Sequence, residues 1–320
     1  MAFATVIFAA GLGTRMKSKF PKVLHEAAGR PLVEQVIRAV LPLKPEKIVV
    51  VIGHGAELVK EKLSAYELTF VHQKEQLGTG HALMTAEEGL KDFEGDVLVL
   101  NGDGPLLRTE TLEQLVATQA DKPGMTVATC KFSNPYGMGR IIRSSEGKLE
   151  AIIEEKDASP EQRKITEVNP GLYVFDSTVF AKTKRLTNNN KGGEYYVTDV
   201  PLLYLQDGQE VRTYFVEDEE EVLGVNDRKH LAHIDGILQN RIRDRWLLSG
   251  VTMTSPETTF IDDTVEIARD VVLEPGVILK GNTTVAESAR IGAYSYLSDC
   301  TVGESATVGP HSVAKDKTFM

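Results

Sequence analysis

A six-residue period in the C-terminal part of the chain limits its possible folds more than any other feature of the sequence. Small or apolar residues recur at two positions of the repeat. The first position holds Val265, Val271, Val277, Thr283, Ala289, Ser295 and Thr301, and the second holds Ile267, Leu273, Leu279, Val285, Ile291 and Leu297. Such a period is typical of a parallel β-helix, in which each flat face contributes one short strand. An antiparallel meander is the alternative, but it does not readily keep a fixed period.

The repeat has a definable extent. We expect a β-helix over residues 250–310, with three faces, about 18 residues to a coil and roughly three coils. The register slips by one residue near Val302. After Gly309 the charged residues at 315–317 interrupt the pattern, so we expect residues 311–320 to form a loose tail.

The preceding part of the chain alternates strand-like and helix-like stretches. The strand-like stretches are “FATVIFAA”, “KIVVVIG”, “ELTFVHQ” and “DVLVLNGD”, and helix-like stretches such as “PLVEQVIRAVLPL” lie between them. This alternation favours a mostly parallel sheet with helices on both faces and with ligands at the carboxyl ends of the strands. Further strand-like stretches follow Thr126. We therefore expect an α/β, Rossmann-like domain with a mixed, mostly parallel sheet over 1–227, and a linking helix over 228–249.

Charge and cysteine content exclude several classes of protein. The 320-residue chain has a formal net charge of -10, whereas a nonspecific nucleic-acid binder needs a basic surface to displace counterions. Cys130 and Cys300 are far apart and form no metal-binding spacing. The apolar start of the chain ends at Gly11, which is too short for a membrane span and lacks the layout of a signal peptide. We expect a cytoplasmic protein with neither a nucleic-acid nor a membrane partner.

A glycine loop follows the first strand-like stretch, in “AAGLGTRMKSKFPKVLH”. A dinucleotide fingerprint needs a third glycine where this chain has Met16, and the Gly-Lys-Ser/Thr of a Walker motif does not follow. The backbone N–H groups of such a loop can form an anion-binding concavity, and the cations Arg15 and Lys22 follow the loop in the sequence. The combination favours a triphosphate ligand. A solvated basic loop is the alternative.

Two further stretches place polar groups where strands end. Asp103 in “NGDGPLL” follows a buried strand and is either a Mg²⁺ ligand or the cap of the next helix. In “QKEQLGTGHA” the amide of Gln73 is suited to reading a base edge, and Gly78 and Gly80 allow close approach to a flat ligand. The alternative for this stretch is a helix N-terminus capped by Thr79, and both interpretations can hold together.

These motifs occur with others in a fixed order along the chain. The order is “AAGLGTRM”, “PKVL”, “QLGTGHA”, “GDGPL”, “NPYGMGRI”, “IIEEKDA”, “EVNPG”, “GEYYVTD” and “GVNDR”, followed by the hexapeptide repeats. In this combination the chain resembles the bacterial bifunctional N-acetylglucosamine-1-phosphate uridylyltransferase/glucosamine-1-phosphate acetyltransferase family. The resemblance runs from residue 4 to about residue 309. It implies a nucleotidyltransferase domain followed by a left-handed β-helix, through which members of the family typically form homotrimers.

The resemblance also implies an activity and a site. The activity is the transfer of UMP from UTP to N-acetylglucosamine 1-phosphate, with Mg²⁺ as cofactor, in UDP-N-acetylglucosamine synthesis for the cell wall. The implied site residues are the catalytic Arg15 and Lys22, the nucleotide-binding Ala10, Gly11, Gly13, Gln73, Gly78 and Thr79, the sugar-binding Gly139, Glu154, Asn169, Tyr196 and Thr198, and the metal ligands Asp103 and Asn226. A pyrophosphorylase for another sugar 1-phosphate or nucleotide is the nearest alternative. A hexapeptide acyltransferase or an oligomerisation scaffold is a more distant one.

The chain departs from the family pattern in three places. Gly104 occupies a variable position of the Gly-Asp-x-Pro-Leu turn. Pro170 follows Asn169 where the family usually has a small residue, and proline has no N–H to donate to a sugar. The family's acetyltransferase residues belong to later coils and a C-terminal arm that this sequence does not include, so we expect acetyltransferase activity to be absent.

Overall fold

The computed structural model describes residues 2–120 and 122–320. The described chain divides into two units. One comprises the residues up to Leu24 together with Leu32–Asp227, and the other comprises His25–Pro31 together with Arg228–Met320. The division differs from the expected contiguous domain over 1–227 because a short hairpin groups with the C-terminal residues.

The N-terminal 227 residues contain twelve strands and six α-helices in the part of the chain that is described. The strands are β1 (Phe3–Ala9), β2 (Glu26–Ala27), β3 (Arg30–Pro31), β4 (Lys47–Ile52), β5 (Thr69–His72), β6 (Asp96–Asn101), β7 (Met125–Lys131), β8 (Gly139–Arg143), β9 (Leu149–Ile153), β10 (Glu167–Asn169), β11 (Tyr173–Phe175) and β12 (Val211–Val216). The helices are α1 (Leu32–Val40), α2 (Ala56–Lys62), α3 (Thr79–Ala86), α4 (Thr109–Gln119), α5 (Val179–Thr183) and α6 (Val200–Gln206).

Ten of these strands form one mixed sheet in the order β5-β4-β1-β6-β11-β7-β10-β8-β9, with β12 paired to β7. Strands β5, β4, β1 and β6 are parallel, and β12 runs parallel to β7. Strands β8 to β11 pair antiparallel with their neighbours. The predicted mixed sheet is confirmed. Because β1 and β6 are parallel neighbours, the glycine loop and the Asp103 turn leave the sheet at the same edge.

Helices cover both faces of this sheet. Helices α1, α2 and α4 bury residues such as Val36 and Leu115 on one face, and α3, α5 and α6 bury residues such as Leu83 and Val200 on the other. Helix α1 shows the pattern that makes this possible, since its apolar residues recur every three or four positions and all lie on the buried side. Burial on both faces explains why β1 and β4 are almost entirely apolar.

The hairpin β2–β3 belongs to the second unit through its own backbone. The N–H of Ala28 donates to Oδ1 of Asp235 at 2.8 Å, and the carbonyl of Ala28 accepts from the N–H of Asp263 at 2.8 Å. Arg30 Nε donates to Oδ2 of Asp263 at 2.8 Å. These bonds tie the hairpin to residues of the long helix and of the first β-helix coil.

Helix α7 (Arg228–Leu248) is the longest helix among the described residues. Its buried side chains include Ile234, Leu238 and Gln239. The amide of Gln239 both accepts from the N–H and donates to the carbonyl of Ile261, each at 3.0 Å, which replaces a ladder partner for that strand. Among the residues described, no helix is long and apolar enough to cross a membrane.

The remaining residues form a short left-handed parallel β-helix. The hexapeptide period predicted the parallel β-helix, and the family resemblance implied its left hand. Its strands are β13 (Thr252–Met253), β14 (Phe260–Ile261), β15 (Glu266–Ile267), β16 (Val272–Leu273), β17 (Ile278–Lys280), β18 (Thr284–Val285), β19 (Arg290–Ile291), β20 (Tyr296–Ser298), β21 (Thr301–Val302), β22 (Thr307–Val308), β23 (Val313–Lys315) and β24 (Thr318–Phe319). Every third strand stacks in register, which gives three four-stranded faces.

The expectation of a loose tail over 311–320 is wrong. Strands β23 and β24 pair in parallel with β20 and β21 and complete a fourth coil where roughly three were expected. The charged residues at 315–317 lie at an exposed corner, where Asp316 adopts a φ of 52°. Ala314 still faces the interior, so a corner can carry charge without interrupting the stack.

Candidate active site

The glycine loop after β1 brings Lys22 close to the loop backbone. Gly13 has a φ of 60°, and a Cβ built there would lie 2.6 Å from the Cβ of Lys22. A side chain at this position would therefore both strain the backbone and push Lys22 away. Met16, at the place of the missing third glycine, is fully buried, so the loop packs by a side chain where a dinucleotide fingerprint packs by glycine.

A cavity of about 410 Å³ opens next to this loop. It is lined by all of the predicted nucleotide-binding residues, namely Ala10, Gly11, Gly13, Gln73, Gly78 and Thr79, and by Lys22. Arg15 is exposed and lies outside this lining. We call this space the first cavity. The structure therefore brings together predicted site residues that lie up to 69 positions apart in the sequence, from Ala10 to Thr79.

The turn Gly78–Gly80 is shaped by another part of the chain. A Cβ on Gly78 would lie 2.5 Å from the carbonyl oxygen of Tyr195, and the N–H of Gly80 donates to that oxygen at 2.7 Å. Thr79 Oγ1 accepts from the N–H of Val197 at 3.1 Å. The absence of a side chain at these glycines thus leaves room for the backbone of the “GEYYVTD” segment. The sequence suggested that this room serves a flat ligand.

Gln73 is buried, and its side-chain nitrogen is already engaged. Nε2 donates to the carbonyl of Gly78 at 3.1 Å and lies 3.1 Å from Nδ1 of His81. Both amide protons therefore have partners when His81 presents an unprotonated Nδ1. Any contact of this side chain with a ligand would use the carbonyl oxygen Oε1.

A cavity of about 210 Å³, the second cavity, lies beside the first, and Thr79, Asn101 and Asp103 line both. The sugar-binding residues predicted for the chain that line the second cavity are Gly139, Glu154, Asn169 and Thr198. Asp103 and Asn226 also line it. Tyr196 does not belong to its lining. The Tyr196 ring is buried, and burial raises the pKa of its hydroxyl to about 12.

Glu154 is held by Thr198, whose Oγ1 donates to Oε1 at 2.8 Å. Burial raises the pKa of the Glu154 carboxyl, the hydrogen bond from Thr198 opposes this, and the nearby carboxylates of Asp199 and Asp157 add to it. The ionised form of the Glu154 carboxyl group is therefore disfavoured in these surroundings. It needs a donor from solvent or from a ligand to be fully satisfied.

Asn169 begins a tight turn over Asn169–Gly171. Its Oδ1 accepts from the N–H of Gly171 at 3.1 Å, and its Nδ2 donates to the hydroxyl of Tyr173 at 2.6 Å. Pro170 lies between them and lines the second cavity without an N–H to offer. The turn consequently presents side-chain amide groups of Asn169, and no backbone donor at position 170.

The two predicted catalytic cations are paired with the two predicted metal ligands. Lys22 Nζ donates to Oδ2 of Asp103, and Arg15 Nη2 donates to Oδ1 of Asn226 at 2.8 Å. A carboxylate and an amide oxygen are ligands that Mg²⁺ accepts, and here both already lie against a positive group. No cluster of three or more His, Cys, Asp or Glu side chains in the described residues could hold a metal ion. A Mg²⁺ ion at Asp103 and Asn226 would therefore need further ligands from substrate and water oxygens, as Mg²⁺ sites in proteins usually do.

A family model for the MobA-like NTP transferase domain matches residues 5–195, which include the first strand, the glycine loop and both cavity-lining turns up to Tyr195. The chain belongs to this NTP transferase family. The curated proteins named “Bifunctional protein GlmU” are similar to it over a longer stretch. The one from Thermus thermophilus is 46% identical over 296 residues, and the one from Streptococcus thermophilus is 45% identical over 303 residues.

These alignments cover most of this chain but not most of the relatives. They span 92% and 94% of this NTP transferase and 65% and 66% of the Thermus and Streptococcus proteins. A third protein of the same name, from Alkaliphilus oremlandii, is 46% identical over 93% of this chain and 66% of its own length. The chain thus spans slightly less than two thirds of the relatives that it matches.

Two residues that line the cavities, Asn101 and Tyr173, are not among those predicted from the sequence. Asn101 ends β6 and lines both cavities, and a Cβ on Gly171 would lie 2.2 Å from its Nδ2. Its signal was available, because it directly precedes the Asp103 turn at the carboxyl end of a strand. Tyr173 lines the second cavity and binds Asn169. It had no such signal, since it lies in an apolar strand pattern.

Proposed function

We propose that the chain is a UDP-N-acetylglucosamine pyrophosphorylase, which transfers UMP from UTP to N-acetylglucosamine 1-phosphate and releases pyrophosphate. One observation carries the proposal. Two cavities meet at Thr79, Asn101 and Asp103, one lined by the nucleotide-type residues and Lys22, the other by residues suited to a sugar. A nucleotidyl transfer needs two ligands side by side with their phosphates adjacent, and this arrangement supports such a pairing.

The first cavity supports binding of the nucleotide. The loop N–H groups and Lys22 would hold the triphosphate. Arg15 lies outside the first cavity and is bonded to Asn226, which lines the second cavity. Oε1 of Gln73 would accept from the N3–H of uracil. Cytosine has an unprotonated N3 at that position, so the same contact disfavours it.

The second cavity supports binding of the sugar phosphate. Glu154 and Asn169 present an acceptor and an amide, which are suited to hydroxyl and N-acetyl groups. Asp103 and Asn226 would hold Mg²⁺ where the two cavities meet. The ion would supply positive charge against the phosphate oxygens.

For this reaction the protein must position the two substrates and neutralise the charge of their phosphates. A phosphate oxygen of the sugar 1-phosphate forms a bond to the α-phosphorus of UTP. The bond from that phosphorus to the oxygen of the β-phosphate breaks, and pyrophosphate leaves with the bonding electrons. The attacking oxygen is already anionic, so no general base is required. Lys22 and Arg15 would neutralise charge on the triphosphate and the leaving group.

The β-helix supports a further part of the proposal, a homotrimer. Its outer β14-β17-β20-β23 face carries an apolar stripe of Phe260, Ile278, Tyr296 and Val313, each in register with the next. Val313 is 78% exposed and Phe260 is 46% exposed. The matching outward positions of the other two faces are mostly threonine and charged residues. A contiguous apolar stripe with exposed residues at both ends fits the surface of a second copy of the chain.

An assay of pyrophosphate release tests the enzymatic proposal. UTP and dTTP are each combined with N-acetylglucosamine 1-phosphate, glucose 1-phosphate and glucosamine 1-phosphate, with and without Mg²⁺. We expect the highest kcat/KM for UTP with N-acetylglucosamine 1-phosphate, and only with Mg²⁺. A preference for another sugar phosphate or for dTTP would overturn the substrate assignment in favour of a related pyrophosphorylase.

A matched variant and a parallel assay complete the test. Asp103→Asn removes a charge at the meeting point of the cavities, and Asp92→Asn removes one from an exposed position outside both. We expect loss of turnover in the first variant alone. Release of CoA from acetyl-CoA with glucosamine 1-phosphate, without pyrophosphate release from UTP, would favour the acyltransferase alternative instead.

A further inference from the structure

Tyr173 is a buried tyrosine whose hydroxyl is bonded to Asn169, a residue that lines the second cavity. It lies on β11, is 1% exposed, and lines the second cavity. Its ring stacks on Phe175 with the centroids 5.5 Å apart and the planes at 17°, and Phe175 stacks in turn on Tyr204. The aromatic column fixes the ring. The hydroxyl therefore has a defined position beside Asn169.

The N–H of Gly171 and the hydroxyl of Tyr173 together hold the side-chain amide of Asn169. Oδ1 of Asn169 must face the N–H of Gly171, because only an oxygen can accept that proton. The nitrogen Nδ2 then points at Tyr173 and donates to its oxygen at 2.6 Å. The side-chain amide is thus held at both ends. One proton of Nδ2 remains for a ligand.

The hydroxyl also keeps a proton of its own. Burial raises the pKa of Tyr173 far above its ordinary value, the hydrogen bond from Asn169 opposes this, and the negative charge of Glu154 adds to it. The group is neutral at any physiological pH. It accepts from Asn169 and keeps its own proton, and Tyr173 and Glu154 line the same cavity.

Pro170 makes the orientation of Asn169 more important than it would otherwise be. The turn has no N–H at position 170, and the N–H of Gly171 is bonded to Oδ1 of Asn169, so the side-chain amide of Asn169 is the donor that this turn would offer to a ligand in the second cavity. Free rotation of that amide would exchange its donor and acceptor ends. A group that locks it preserves the donor towards the cavity.

We infer that Tyr173 is a positioning residue for the sugar phosphate, which acts by holding the Asn169 amide in its binding orientation. The inference rests on the proposed function, because it assigns the second cavity to the sugar. It predicts an effect on the affinity for the sugar phosphate, and not on the nucleotide or on the rate of the bound complex.

The test is the variant Tyr173→Phe, which removes only the hydroxyl and keeps the stacked ring. We expect KM for N-acetylglucosamine 1-phosphate to rise about tenfold, equivalent to ~1.4 kcal/mol, with kcat within about twofold and KM for UTP unchanged. Calorimetric titration with the sugar phosphate should show the same loss of affinity. Tyr204→Phe is the matched control. It belongs to the same column and loses a hydroxyl bonded to Asp176 at 2.9 Å, away from the cavity lining, so its kinetics should not change.

A double-mutant cycle with Asn169→Ala separates orientation from packing. If Tyr173 acts through Asn169, its replacement should add little once the amide is gone. Additive effects, an equal rise of both KM values, or a loss confined to kcat would each overturn the inference. The wild-type assay tests the proposed function separately. If the wild type prefers another sugar 1-phosphate, that substrate assignment fails, and the same cycle with the preferred substrate still tests Tyr173.

Discussion

Lys22 and Asp103 are partners in this structure, with Nζ of the lysine donating to Oδ2 of the carboxylate. One is a predicted phosphate-binding cation and the other a predicted metal ligand. The side chains are only 16% and 20% exposed, so their attraction is screened less than that of a surface pair. Arg15 and Asn226 repeat the relationship at 2.8 Å. Binding of a triphosphate with Mg²⁺ would exchange both pairs for cation–phosphate and metal–oxygen contacts.

Replacement of Asp103 should stop the reaction without unfolding the protein. We expect Asp103→Ala to lower kcat by at least about 10²-fold, because the carboxylate would be the only charged protein ligand proposed for Mg²⁺. The local fold should persist, since the backbone carbonyl of Asp103, which accepts from Val225 at 2.9 Å, is unaffected. Pyrophosphate release and circular dichroism measure the two expectations. Near-normal turnover with Mg²⁺ present would contradict the assignment of this residue.

Removal of the lysine should make Asp103 a better metal ligand on its own. In Lys22→Ala the carboxylate loses a competing cation, so we expect tighter Mn²⁺ binding without nucleotide, by several-fold in electron paramagnetic resonance titrations. Turnover should fall, because the triphosphate loses a cation. Lys164→Ala, which breaks an exposed pair with Glu161, serves as the control and should change neither quantity. Unchanged Mn²⁺ affinity in Lys22→Ala would show that the pair does not restrict the metal site.

Glu154→Gln should reveal the cost of the buried carboxylate in stability measured against pH. Burial raises the pKa of Glu154 above its ordinary value of 4.5. The folded state therefore holds this proton more tightly than the unfolded state, and stability is lost as the pH rises from about that value through the raised pKa. The variant does not titrate. We expect its unfolding free energy to improve relative to the wild type as the pH rises above about 4.5, while KM for the sugar phosphate increases.

Glu167→Gln is the control of opposite sign for this pH experiment. The hydrogen bond from Arg143 holds the pKa of Glu167 below its ordinary value, with Nε and Oε2 2.9 Å apart. Its contribution to stability is present above pH 4.5 and is lost as the pH falls through the lowered pKa. The variant should therefore be less stable than the wild type at neutral pH. Parallel behaviour of the two variants would mean that burial of Glu154 does not govern its titration.

The sequence predicts those features of this fold that depend on local periodicity. Inward positions such as Leu279 and Leu297 recur every 18 residues because each coil must present an apolar residue to the interior at the same place. The same logic failed for residues 311–320. Lys315 and Asp316 belong to a strand end and a corner whose side chains face solvent, so their charge carries no information about the core.

Strand order and contacts between distant segments account for what the sequence did not predict about the site. Tyr173 and Asn169 are close in sequence, but their strands β11 and β10 lie on either side of β7, and an apolar strand pattern does not specify which neighbours its strand takes. The contact of the Tyr195 carbonyl with the Gly78–Gly80 turn joins segments that are far apart in the sequence. By contrast, the glycine loop and Asp103 could be predicted, because parallel strands bring their carboxyl ends to one edge whatever their order.

A charge on the apolar stripe of the β-helix should dissociate the proposed trimer. Val313→Asp introduces a carboxylate at a position that is 78% exposed, so the fold of a single chain should tolerate it. Within an interface the same carboxylate would be buried without a partner, at a cost of several kcal/mol. We expect light scattering to show a mass near that of the 35.1 kDa chain for the variant and three times that mass for the wild type.

Thr307→Asp provides the control for this last experiment. Thr307 is the outward residue of β22 in the same coil but on a different face, where it pairs in register with Arg290. A carboxylate there has a cation beside it and no apolar neighbours in the stripe, so the trimer should persist. Turnover should be retained in both variants, because the residues that line the two cavities belong to the first unit, whereas Val313 and Thr307 belong to the second. If Thr307→Asp dissociates the trimer and Val313→Asp does not, the interface lies on the face of Thr307 and not on the proposed face. A monomeric wild type would contradict the trimer proposal altogether.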